Sequence, residues 1–230
     1  MTITANDAVD TILGTTPGSA VDQLRRRRPV TRENTQASYL ALFQPDGLSD
    51  ASLTERFALA LFVAALHGNS EATAFYEQGL KEAGPDDSLH TAVLDAAASG
   101  AALGPYGDYR EPGIKGENRP GLRWSAPSAI GAGLGPRLSA ALEHAHLLVF
   151  RPRESSPAAL KALVEAGWST TGIVTLSQLV AFLAYQLRVV SGLKLLAAAL
   201  PSPATANINQ ADANPADAQT ADAQTVRIGS

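Results

Sequence analysis

Apolar positions along the chain repeat at helical spacing in almost every segment, and they do so most clearly between Ser52 and Gly79. Leu53, Phe57, Ala60, Leu61, Ala64 and Ala65 lie three or four residues apart, which places them on one face of a helix. Ser52 precedes this run with Glu55 three residues later, the pattern of a reciprocal capping box. Gly68 and Asn69 tolerate the left-handed conformation that ends helices, so the run should stop there and a second amphipathic helix should begin near Ser70. A second long stripe, Leu176, Leu179, Val180, Leu183, Leu187, Val190 and Leu193, predicts a helix over 173–196 capped by Ser169 or Thr170.

The remaining punctuation predicts further helices. Short ones are expected over 5–13, capped by Thr4 or Asn6 and closed by Gly14, and over 19–27. Longer ones follow over 31–43 and 87–99, then over 137–149 and over 157–166, the last with Ser156 as cap and Pro157 at its first position. Residues 104–136 are rich in glycine and proline and read as a long loop, a kind of segment that is often functional. The expected fold class is all-α, with residues 1–200 forming one helical domain or two small helical lobes. Residues 201–230, with their ADANPADAQTADAQT repeats, have too few apolar groups to offset ordering and are expected to be disordered.

The hairpin segment SLTERFALALFVAALHGNSEATAFYEQG closely resembles the active-site segment of the carboxymuconolactone decarboxylase (CMD)/alkylhydroperoxidase D superfamily, with L-H-G where relatives read L-N-G. The segment EAGWSTTGIVTLSQLVAFLAYQLRVVSGLKLL resembles the long C-terminal helix of peroxidase-related members, with their A-G-W and R-x-x-x-G-L patterns. Redox members carry Cys-x-x-Cys-x-x-x-His after the turn. The matching positions here are Asn69, Ala72 and Tyr76, and the upstream proton-relay Glu falls on Phe57. The resemblance therefore implies the frame of an oligomeric, alkylhydroperoxidase D-like helical fold without its dithiol.

Composition narrows the functional classes. The 230 residues contain no cysteine, which excludes disulfides, thiolate metal sites and thiol peroxidase chemistry on this chain. A net charge of -4 gives no case for nucleic acid, which needs a concentrated positive surface. The one basic run, Arg25 to Arg28, is expected to cap a helix C-terminus or to cover an acidic face of a neighbouring subunit. The N-terminus lacks the basic and apolar regions of a signal peptide. Polar residues interrupt 173–200 at Gln178, Gln186, Arg188 and Lys194, so no membrane span is expected and a cytoplasmic location is.

The candidate pocket residues are His67, Asn69, Tyr76, Glu143, His144, His146 and Arg188. His67 precedes the turn and Tyr76 takes the family His position, so either would line the former redox pocket or serve only packing. His144 and His146 point to opposing sides of their helix and cannot jointly hold a metal. Glu143 and His146 share a face, as an oriented acid/base pair or as a buried hydrogen bond. Of Tyr185, Gln186 and Arg188, one is expected to face that pocket or an interface. Gly131, Gly133 and Gly135 precede a predicted helix; without a preceding strand they read as a flexible lead-in rather than a phosphate cradle. No cofactor or metal is implied. The expected role is a non-peroxidase subunit, self-associating or partnered with a cysteine-bearing relative; the alternatives are a thiol-free decarboxylase, lyase or isomerase and a small-molecule binding module.

Overall fold

Ser52 and Glu55 make the capping box that the sequence predicts. The Ser52 hydroxyl accepts from the Glu55 N–H, and the Glu55 carboxylate accepts from the Ser52 N–H at 2.8 Å. The computed structural model describes residues 7–84 and 86–199, and among them the regular structure is helical, with no strand. The helices are α1 (Ala8–Leu13), α2 (Ala20–Arg26), α3 (Pro29–Phe43), α4 (Leu53–Leu66), α5 (Ser70–Glu82), α6 (Asp87–Ser99), α7 (Ser128–Phe150), α8 (Pro157–Glu165) and α9 (Thr170–Ala199). The expected disordered tail, 201–230, lies outside the described residues.

Helix α4 is the central element. From Ala58 to Ala64 every residue is fully buried, and the helix packs on α5, α6, α7 and α9. Leu61, Leu66, Leu179, Leu183 and Leu187 join one cluster of buried side chains, with Phe57 packed against it, as their stripes require. Because α4 places its apolar residues inside the chain, it offers no broad apolar face to the outside. Exposed large apolar side chains include Leu160 and Val164 on α8 and Val174, Leu195 and Leu196 on α9, besides Val30, Leu48 and Leu103 elsewhere. Helix α9 is long and apolar enough to cross a membrane by composition alone, despite its polar interruptions, yet one face of it lies in the core.

Arg137 ties the two ends of this frame together. Its Nε donates to Glu55 Oε1 at 2.6 Å, its second guanidinium nitrogen donates to the Asp50 carbonyl, and its guanidinium stacks 3.8 Å from the Trp168 ring. The Ser169 hydroxyl caps α9 by accepting from the Gly172 N–H. A Cβ on Gly172 would stand 2.9 Å from the Asp50 carbonyl oxygen, so the start of α9 can approach this loop only with glycine there.

Several expectations are corrected. Thr4 and Asn6 lie outside the described residues; Asp7 is the cap of α1, accepting from the Asp10 N–H. The basic run falls at the C-terminus of α2, as expected of it, with Arg25 and Arg26 in the last turn and Arg27 as the cap; Arg25 alone is buried, while Arg26, Arg27 and Arg28 are exposed. Arg25 pairs with Asp7 and Asp10, Arg26 pairs with Asp22, and Arg32 reaches Asp7, Asp10 and Asp22, clamping α1, α2 and α3 together. The long loop ends at Pro127, well short of 136. Gly131 and Gly133 already lie within α7, which breaks at Gly135 (φ 73°, ψ 162°) before Pro136. The Gly131 N–H is bonded to the Pro127 carbonyl in the first turn of α7, so this glycine is part of the helix and not a flexible lead-in.

Candidate functional site

The turn between α4 and α5 is built from two caps. His67 closes α4 and is half-buried; its Nδ1 lies 2.8 Å from the Val63 carbonyl, which can only accept, so Nδ1 carries the proton. Burial pulls the His67 pKa below its ordinary value, and the nearby positive charge of Arg188 adds to this. Asn69 opens α5. Its side-chain oxygen accepts from the Ala72 N–H at 2.9 Å, and its amide donates to the Ser191 hydroxyl on α9 at 3.3 Å. Asn69 is thus a structural cap, and Ala72 is fully buried.

Tyr76 closes the space further along. It is fully buried among Phe43 and Phe75, and its hydroxyl donates to Gln186 Oε1. Burial drives its pKa well above the ordinary phenol value, so it holds its proton. Phe57 lies over Phe43 with ring centres 4.9 Å apart. A Cβ on Gly79 would fall 2.3 Å from the Phe57 ring, so glycine there admits the ring between α4 and α5. Phe43, Phe57, Phe75 and Tyr76 thus form an aromatic cluster between α3, α4 and α5.

The histidines of α7 do not reach this turn. His144 faces α9, with Nε2 3.0 Å from the Ser177 hydroxyl and Nδ1 buried without a partner. His146 faces the other way, its Nε2 3.0 Å from the Gly100 carbonyl beyond α6. The opposing directions are those that their spacing requires. Glu143 and His146 are not hydrogen-bonded to each other: the Glu143 carboxylate accepts from the Ala126 N–H at 2.9 Å. They do line a common cavity of about 230 Å³ together with Arg123, Trp124, Arg151 and Glu154. Neither His67 nor Tyr76 lines it.

The expected single pocket is therefore resolved into separate places. Arg188 is exposed and donates to the Ala184 carbonyl of its own helix, near enough to His67 to affect its charge. Of the three polar residues Tyr185, Gln186 and Arg188 of α9, Gln186 is the one that reaches Tyr76. Sequence reading missed Arg56, which is buried and donates to the Ala51 and Leu42 carbonyls, and missed the loop residues Arg123 and Trp124. Among the described residues no group of three or more His, Asp or Glu could hold a metal ion. The chain matches no family model, no curated protein and no solved structure.

Proposed function

We propose that this chain is a CMD/alkylhydroperoxidase D-like subunit without peroxidase chemistry, acting through association with copies of itself or with a cysteine-bearing relative. The observation that carries the reading is the state of the α4–α5 turn. Asn69 caps, Ala72 packs, and Tyr76 is locked to Gln186, so every position that would bear a redox group serves structure. Tyr76 is likewise no acid or base for a thiol-free reaction, because a fully buried tyrosine with a raised pKa neither meets substrate nor releases its proton. The exposed apolar side chains of α8 and α9 support association, since large apolar groups gathered on outer helices mark contact surfaces.

The test is size-exclusion chromatography with light scattering, on the chain alone and mixed with a Cys-x-x-Cys relative. A mass above the 23.9 kDa of one chain, alone or in the mixture, is expected, with reductant-dependent peroxide turnover only when the cysteine-bearing chain is present. A lone 23.9 kDa species in both samples would overturn the association reading.

A further inference from the structure

The cavity beside Trp124 lies apart from the α4–α5 turn, and its groups are not used by the association reading. Three elements build it: the second half of α7 brings Glu143 and His146, the loop before α7 brings Arg123 and Trp124, and the chain after α7 brings Arg151 and Glu154. The volume, about 230 Å³, is below the roughly 300 to 1,000 Å³ of pockets that take drug-sized ligands. An occupant must be small.

The charges are arranged unevenly. Arg151 is buried, forks onto both oxygens of Glu154, and sends its remaining branch to the Gly121 carbonyl. That pair is internally neutral and satisfied. Arg123 leans on the same Glu154 carboxylate at 3.1 Å with its side chain 70% exposed, so its positive charge is surplus. Glu143 gives one oxygen to the Ala126 N–H, and among the described residues its other oxygen has no partner. His146 adds a third open group. The Gly100 carbonyl can only accept, so Nε2 carries the proton and Nδ1 presents a lone pair that no group of the described chain engages. Burial holds this imidazole neutral by lowering its pKa.

The wall thus offers one surplus cation, one carboxylate with an open oxygen and one neutral lone pair. A plain carboxylic acid would answer Arg123 and meet repulsion from Glu143; a plain amine would do the reverse. We infer that this cavity binds a free amino acid, with its carboxylate on Arg123 and its ammonium group donating to Glu143 and to His146 Nδ1. The complementary charges fix its orientation, and the small volume restricts its side chain.

The test is a titration of the full chain with each of the twenty standard amino acids up to ~10 mM, beyond which a specific site would be too weak to recognise. Binding is read by calorimetry and by the two tryptophan indole N–H signals in a nitrogen-15 NMR spectrum. At least one amino acid is expected to bind and to shift the Trp124 signal, while that of Trp168, buried near Arg137, stays still. The matched amine and matched carboxylic acid, each lacking one charged end, should bind more weakly by ~10-fold or more. R123A and E143Q should each weaken binding by a similar factor; both positions are surface-accessible, and E143Q keeps an oxygen for the Ala126 N–H, so folding is preserved and is checked by circular dichroism. Absence of binding by all twenty, binding that leaves Trp124 unshifted, or affinity unchanged in both variants would overturn the assignment.

Discussion

The Tyr76 hydroxyl donates to Gln186 Oε1 between α5 and α9, and neither residue exposes any surface to solvent. The Gln186 amide nitrogen has no partner, so this bond is the one compensation for burying the side chain. Tyr76→Phe should therefore cost about 1 to 3 kcal/mol, the penalty for leaving a buried acceptor unpaired. Gln186→Leu alone strands the tyrosine hydroxyl and should cost a similar amount. The double variant removes both polar groups and should recover much of the loss. Urea unfolding of all four proteins gives the coupling; strictly additive losses would show that the bond contributes nothing.

This pair also illustrates how far the sequence is readable. Gln186 stands out as a polar residue in an apolar stripe, and its burial could be expected, but its partner lies 110 positions away. Caps are legible because their donors and acceptors lie within three residues, as with Ser52 and Glu55 or Ser156 and Ala159. Arg56 was not legible: its partners are the Ala51 and Leu42 carbonyls, and a backbone carbonyl looks the same in every residue. The start of α7 was hidden for another reason. Gly131 and Gly133 lower helix propensity, yet a Cβ on Gly133 would stand 3.2 Å from that of Ala92, so glycine there lets α7 close on α6. Packing overrides propensity at that point. The same limit applies to the cavity, whose walls come from three separate stretches of chain.

The aspartates that clamp α1, α2 and α3 make the fold sensitive to strong acid. The hydrogen bond from Arg26 is the main reason that the Asp22 pKa drops to about 2; for Asp7 burial pushes the pKa up, but the hydrogen bonds from Arg25 and the Asp10 N–H and the charges of Arg25 and Arg32 together outweigh it and lower the pKa. A carboxylate whose folded pKa is depressed stabilises the fold above its unfolded value of 3.8 and loses that contribution as pH falls toward 2. Unfolding free energy should decline across this window, and Asp22→Asn should flatten the decline while lowering stability at neutral pH. Equal slopes for the two proteins in denaturant titrations at graded pH would exclude Asp22 as the source.

His144 acts in a higher window. Burial lowers its pKa from 6.5, and its Nδ1 has no partner to accept a second proton's charge. Below pH 6.5 the unfolded chain takes up a proton that the folded chain resists, so stability should fall as pH drops from 6.5 toward the folded value. His67 and His146, lowered for the same first reason, add to the effect. His144→Gln should remove part of the slope and leave the rest. Thermal unfolding followed at closely spaced pH values decides; a wild-type curve that is flat or rises on acidification through this window would contradict the assignment.

Asn69 decides whether the α4–α5 turn is a structural element or a vacated site. Its oxygen caps α5 through the Ala72 N–H, and its amide reaches Ser191 on α9, so one side chain joins two helices at the turn that leaves α4. Asn69→Ala should cost about 1 kcal/mol, the usual loss for an N-cap. Asn69→Asp keeps the acceptor and places a negative charge at the helix N-terminus, where the dipole favours it, but forfeits the donation to Ser191. Its stability should lie between those of the wild type and the alanine variant, and nearer the wild type at low salt, where the dipole attraction is least screened. Denaturant midpoints for the three proteins at two ionic strengths are sufficient to check this. If alanine were tolerated without loss, the cap would be incidental, and the reading of the turn as a position given over to structure would lose its main support.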